Sequence, residues 1–187
     1  MTNSDPKENV PLPPTDRELA TQAARGDQAA FQELVDRHAA GLFALAVRMV
    51  GNAADAEDVL QETFAGAFTG LARFRQEASV KTWLTQILVR QAARHHRSAG
   101  RRRMSSLDVE TAQQPASARE RLDLRADLGS AIAALSPDHR EVILLRELQG
   151  MSYDQIADVL KVPRGTVESR LFRARRQLQE ALKEQLE

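Results

Sequence analysis

Met151-Ser-Tyr-Asp-Gln-Ile-Ala-Asp-Val-Leu-Lys-Val-Pro-Arg-Gly-Thr-Val-Glu-Ser-Arg-Leu-Phe-Arg-Ala-Arg-Arg176 decides the reading of this chain. Ser152 stands where an N-cap belongs, and Ile156, Ala157 and Leu160 follow on one helical face. Lys161-Val162-Pro163 ends that helix, because proline cannot continue it and pushes the preceding residue out of the α region. A left-handed conformation at Lys161 in this turn would cost about 1–2 kcal/mol. A second apolar stripe, Val167, Leu171 and Ala174, is surrounded by Arg164, Arg170, Arg173, Arg175 and Arg176. A short helix, a tight turn and a basic helix form the arrangement that carries side chains into a DNA major groove.

Working back from this stretch, Ser136-Pro137 predicts the start of a helix holding Val142, Ile143, Leu144, Leu145 and Leu148. Helical spacing before it runs through Leu122, Leu124, Leu128, Ile132 and Leu135. Between Met104 and Ala118 the pattern lapses into Ser-Ser, Gln-Gln, Pro115 and Ser117, a linker composition. A second module precedes the linker. Its predicted helices run from about Thr15 to Arg25, from Asp27 to Val50, from beyond Gly51-Asn52 to about Leu71, and from Val80 to about Arg97. Phe31, Leu34, Val35, Leu42, Leu45 and Met49 keep helical spacing in the longest of these. Five of the six phenylalanines and the single tryptophan lie between Phe31 and Trp83. Aromatic rings bury the most area per residue, so a core belongs there. No convincing period-two strand occurs, and the expected class is all-α.

The 187 residues carry 26 basic and 26 acidic side chains, a formal net charge of zero. A simple nucleic-acid coat would be basic overall. Here the charge is segregated instead. Asp55, Glu57, Asp58 and Glu62 cluster without a base, whereas residues 90–103 hold six arginines and no acid. Two signs suggest two partners. Without cysteine there is neither a disulfide framework nor a thiolate metal site. Met1–Thr15, with four prolines among polar residues, reads as a disordered tail rather than a signal peptide. The longest apolar stretch, between Gly41 and Gly51, falls well short of the ~20 residues that span a bilayer. A soluble, cytoplasmic protein without membrane insertion is expected.

Three phrases in order, "DAEDVLQETFAGAF" at 55–68, "FRQEASVKTWLTQI" at 74–87 and "LSPDHREVILLRELQGMSYDQIADVLKVPRGTVESRLFRARRQL" at 135–178, resemble bacterial sigma factors of the extracytoplasmic-function type (group IV). The likeness covers about Asp16 to Leu182. It implies two small helical domains: sigma domain 2 at 16–103 and a helix-turn-helix sigma domain 4 at 119–187, joined by a flexible linker at 104–118. It implies a promoter-specificity subunit without catalytic chemistry or cofactor. The partners so implied are core RNA polymerase, promoter DNA and an anti-sigma factor.

The same resemblance assigns sites. Asp55, Asp58 and Glu62 share a helical face, with Gln61 beside them, and Leu60, Phe64, Ala67 and Phe68 are expected to point the other way, into the core. In the family the acidic face docks on the clamp coiled coil of the largest polymerase subunit. Taken alone it would be a solvated face. The loop from Phe74 to Ser79 would hold a base flipped out of the non-template strand, and the helix after it would read the minus-10 element as single strand. An unstacked base wants a π-face or a pocket, and its phosphates want cations. Phe74, Arg75, Arg90, Arg94 and Arg97 are the candidates, and Phe74 fits the core equally well. Arg90, Arg94, His95-His96 and Gln76 depart from the common family pattern. For the minus-35 duplex the candidates are Arg164, Thr166, Glu168, Ser169, Arg170, Phe172 and Arg173. Thr166 could offer its backbone N–H to a phosphate, and Glu168 could accept from a cytosine amino group.

Two other classes compete. An autonomous helix-turn-helix regulator would need only the second module, leaving the acidic face and the basic helix of the first unexplained. An enzyme is disfavoured, since His95 and His96 project about 100° apart on a helix. They do not grip one metal as an i, i+4 pair would. No nucleophile or phosphate-cradling glycine loop accompanies them.

Overall fold

The computed structural model describes residues 13–105 and 123–184, and the side chains of 13–98 and 128–183. Eight α-helices are placed: α1 Asp16–Ala24, α2 Gln28–Val50, α3 Ala53–Gly70, α4 Val80–Ser105, α5 Asp123–Ala134, α6 Pro137–Ile143, α7 Tyr153–Leu160 and α8 Arg164–Glu184. Among the described residues there is no strand. A 3-10 turn at Leu71–Arg73 closes α3, and a π-type turn at Leu144–Leu148 continues α6. Residues 1–12 of the expected tail and 106–118 of the expected linker lie outside the described residues, as does Leu122.

Local chemistry sets the helix ends. Thr15 and Glu18 form a reciprocal capping box, so the expected tail ends in an ordered cap. The Asp27 side chain accepts from the Ala30 N–H, and Asn52 accepts from the Asp55 N–H. Gly51 closes α2 at φ 93°, a left-handed position that glycine takes without a Cβ penalty. Ser136 caps α6 with Pro137 in the first turn, and Ser152 caps α7 in a second capping box with Gln155. Lys161 closes α7 in the left-handed conformation, at φ 56°.

The first module packs α1–α4 around Leu34, Leu45, Ala46, Leu84 and Leu88, all at most 3% exposed. The buried stripe of α3 is Ala56, Val59, Thr63 and Ala67. That corrects the expected apolar face: Ala67 is on it, Leu60 and Phe64 are half-buried at its margins, and Phe68 is 55% exposed. Phe68 instead meets the edge of Phe31, ring centroids 5.1 Å apart. α4 runs past Arg97 to Ser105.

In the second module Val142, Leu145, Ile156, Val167, Leu171 and Ala174 are essentially fully buried. Leu128, expected on the inner face, is exposed. Arg140 braces the end of α5, donating to the carbonyls of Ile132 and Leu135 at 3.2 and 3.0 Å and to that of Ala133. These are carbonyls that a helix C-terminus leaves without partners. The modules touch where Lys81 Nζ donates to the Gln149 carbonyl at 2.9 Å and Gln86 Nε2 to the Asp158 carbonyl at 3.0 Å.

Candidate nucleic-acid and partner interfaces

α3 and α4 border a groove of about 1020 Å³. Asp55, Asp58, Gln61 and Glu62 line its α3 wall, and Arg94, His95 and Arg97 its α4 wall. The sequence-predicted acidic face and two of the predicted minus-10 arginines therefore share one concavity. Asp58, Gln61 and Glu62 are exposed. Asp55 is engaged by the fold: its carboxylate accepts from Asn52 Nδ2 at 2.7 Å and lies 3.3 Å from His95 Nε2. Among the described residues, this Asp55–His95 contact is the one between an acidic and a basic side chain that crosses the groove. The neighbouring His96 points elsewhere, its Nε2 2.9 Å from the Met49 carbonyl. Among the described residues no group of three or more histidines and carboxylates could hold a metal.

The Phe74–Ser79 loop joins the two helices. Phe74 stacks on Trp83 with centroids 4.6 Å apart and rings 24° from parallel. It is half-buried, so it packs on the core while keeping part of its surface in the loop. Arg75 and Arg90 are exposed. Gln76 has a φ of 56°, and its side chain reaches α1, a connection that sequence spacing did not reveal.

On the recognition helix α8, Phe172 is 69% exposed and Ser169 and Arg173 are exposed beside it. Most of the surrounding arginines hold acids. Arg164 donates to both Asp154 oxygens at 3.2 Å and to Glu168 at 3.0 Å. The Glu168 hydrogen bond foremost, then the Asp154 charge, raises the pKa of the Arg164 guanidinium above its ordinary value. Arg175 bonds Glu147 and Arg176 bonds Glu180, each at 2.9 Å. Arg170 is half-buried and pairs with Asp138, directed into its own module. Among the described residues Arg173 has no ion-pair partner. The Thr166 N–H donates to the Pro163 carbonyl at 2.9 Å as the turn closes on itself.

A helical chain that combines an acid-walled groove, a basic helix and a helix-turn-helix with an exposed aromatic–arginine pair belongs among the DNA-binding proteins of transcription. The family models narrow the class: sigma-70 region 2 matches residues 34–102, and sigma-70 region 4 matches residues 125–178. The RNA polymerase sigma-H factor of Pseudomonas aeruginosa is 36% identical over 180 residues, 89% of this chain and 93% of that protein. The sigma-E factor of Escherichia coli K12, of the extracytoplasmic-function class, is 36% identical over 174 residues, covering 86% and 91%. A solved structure of the sigma factor RpoE of Bartonella quintana, in complex with the anti-sigma factor NepR, aligns with a TM-score of 0.70 and 33% identity, over 82% of this chain and 96% of that one. This chain belongs to the extracytoplasmic-function sigma factors of the sigma-70 family. Sigma factors are the specificity subunits of RNA polymerase.

Proposed function

We propose that this sigma factor directs core RNA polymerase to its promoters through three surfaces, each with its own chemistry. Asp58, Gln61 and Glu62 on the α3 wall bind core polymerase, with Asp55 holding that wall's N-terminal end. The Phe74–Ser79 loop and Arg75, together with Arg90, Arg94 and Arg97, take the minus-10 element as single strand. Ser169, Phe172 and Arg173 read the minus-35 duplex, with Arg164 and Glu168 at the start of the same helix.

The order of events follows from the energetics. Extracting a base from the stack costs a few kcal/mol, which contacts to the unstacked base and its phosphates must offset. Docking on polymerase through the acidic wall supplies the larger assembly that holds both elements at once. Duplex binding at minus-35 sets the register, and the loop then captures the unstacked base at minus-10. The chain performs no catalysis of its own in this scheme and acts in the cytoplasm, and no helix among the described residues is long and apolar enough to cross a membrane. The proposed domain limits are 16–103 and 119–187, with 104–118 connecting them. An anti-sigma factor is the proposed regulator, by analogy with the Bartonella relative.

The observation that carries this reading is the pairing, in one chain, of an exposed acidic wall with the exposed Phe172–Arg173 pair of a helix-turn-helix. Run-off transcription with bacterial core polymerase on genomic promoter fragments tests it. Discrete start sites that require both components are expected. Specific duplex binding without any initiation would replace the reading with an autonomous regulator.

A further inference from the structure

The loop between α3 and α4 is fastened at three points. At its start the Phe74 ring lies on Trp83, and the Phe74 N–H closes the 3-10 turn on the Leu71 carbonyl at 3.0 Å. At its end Ser79 Oγ accepts from the Thr82 N–H at 3.1 Å and caps α4. The third point lies in the middle and far away in sequence. Arg17 Nε donates to Gln76 Oε1 at 2.5 Å, and Gln76 Nε2 donates to Thr21 Oγ1 at 2.9 Å. The Thr21 hydroxyl in turn donates to the Arg17 carbonyl at 2.8 Å. The three bonds close a ring between one loop residue and one turn of α1.

Gln76 occupies the left-handed region at φ 56°, where a side chain other than glycine is strained. Strain of that kind persists only where the surroundings hold it in place. Here α1 supplies the hold, and α1 is itself rigid: Leu19, Ala20 and Ala23 are buried, and Asp16 bonds Arg37 and His38 of α2 at 3.1 and 2.7 Å. With Phe74, Gln76 and Ser79 fixed, Arg75, Glu77 and Ala78 remain exposed on a loop of preset shape.

We propose that α1 is a positioning element for the minus-10 loop, with Arg17 and Thr21 clamping the strained Gln76 so that the loop receives an unstacked base without rearranging. This rests on the reading of that loop as a base-binding site. Gln76, Arg17 and Thr21 touch no DNA in this scheme; they act through the loop. A loop already in its binding shape loses less freedom on binding, so the clamp adds affinity and discrimination for the single strand.

The test uses holoenzyme assembled from core polymerase and the full chain. The probe is a single-stranded oligonucleotide carrying the minus-10 sequence of a promoter returned by run-off transcription, against a scrambled strand. Thr21→Val removes the hydroxyl while keeping the branched shape of the side chain, and Gln76→Gly removes the tether while relieving the strain. Each is expected to lower the ratio of specific to scrambled affinity about fivefold, the equivalent of one lost hydrogen bond. Polymerase affinity should not change. The melting temperature of Gln76→Gly should stay close to wild type, because relief of strain offsets the lost bonds; a purely structural role would instead tie binding to stability. The double variant should lose no more than either single one, since both break the same ring.

Arg75→Ala separates the two levels of inference. If it lowers the ratio while Thr21→Val and Gln76→Gly keep the wild-type value, the clamp is wrong and the base site stands. If Arg75→Ala also keeps the wild-type ratio, the base site falls and the clamp with it. Additive losses in the double variant would also overturn a shared clamp.

Discussion

The α3–α4 groove and the recognition helix both bring acids and arginines together, and they do so in opposite ways. In the groove the two signs stand on facing walls and, among the described residues, only Asp55 and His95 meet. On α8 the arginines are neutralised locally, Arg164 by Asp154 and Glu168, Arg170 by Asp138, Arg175 by Glu147 and Arg176 by Glu180. Arg173 is the exception. A net charge of zero thus hides two arrangements: the α3–α4 groove leaves most of its charge without a partner across it, and α8 pairs most of its own within the second module. Non-specific attraction to DNA grows with every cation available to phosphate. A helix whose arginines are largely engaged leaves more of its discrimination to the few side chains that are not, Phe172 and Arg173.

The largest effect expected from this contrast is at Arg173. Arg173→Ala should weaken minus-35 duplex binding by roughly 1–3 kcal/mol, with the loss concentrated on promoter sequence. Arg175→Ala and Arg176→Ala should each cost at most about 0.5 kcal/mol, as exposed paired cations do. Fluorescence anisotropy on matched and mismatched duplexes measures all three. Equal losses at Arg173 and Arg175 would erase the distinction.

Next comes the acidic wall, where exposed and engaged residues should separate. Asp58→Ala or Gln61→Ala should weaken core polymerase binding by about 1–2 kcal/mol and leave the melting temperature alone. Asp55→Ala should do the reverse, lowering stability by about 1 kcal/mol through the lost Asn52 and His95 contacts while affecting polymerase less. Titration of labelled polymerase beside thermal melts decides between them, and Asp55 behaving like Asp58 would break the comparison from its other side.

A subtler effect concerns Glu168. It holds Arg164 at 3.0 Å while Asp154 holds the same guanidinium at 3.2 Å, so Glu168→Gln combined with Asp154→Asn should free it toward phosphate. The dependence of log affinity on log salt should then steepen by up to about 1. Loss of a cytosine preference in Glu168→Gln alone would show that Glu168 also reads a base. An unchanged slope with both acids neutralised would mean that Arg164 reaches no phosphate.

The second module was the more legible in sequence, and the reason is locality. Ser152, Ser136-Pro137 and the Val167, Leu171, Ala174 stripe each act within a few residues of where they stand, so capping rules and helical period find them. In the first module the same reasoning misjudged α3, because the phenylalanines drew the apolar face toward Phe68. The helices instead pack on the small residues Ala56, Val59, Thr63 and Ala67, which let α4 approach. Within the candidate sites, the acidic face was visible as spacing, and Phe172 and Arg173 through the resemblance to the family. The use of Asp55 by the fold, the pairing of Arg170 with Asp138, and the tether of Gln76 to α1 were not. Each joins residues brought together only by folding, and the Thr166 N–H bonds within a turn whose closure no periodicity records.

The smallest effect belongs to Glu141, half-buried in the second module. Burial foremost, then the negative charge of Asp138, raises its carboxyl pKa above the usual carboxylate range, with Arg170 and Arg140 opposing. The folded chain therefore holds this proton more tightly than the unfolded chain. By linkage, the contribution of that proton to stability is fully present below the unfolded pKa and is lost as pH rises through the folded one. Above the folded pKa both states carry the charge, and only the folded state carries the cost of burying it. Glu141→Gln should thus stabilise the chain on the alkaline side of that pKa by less than about 1 kcal/mol. The advantage should shrink to nothing as pH falls below the ordinary carboxylate range, where Glu141 is protonated in both states. Comparing thermal melts of the two proteins at each pH cancels the titration of the other carboxylates. A constant difference across that range would mean that Asp138 and burial leave Glu141 unaffected, whereas a difference that grows on acidification would mean that its charge is held by Arg170 and Arg140.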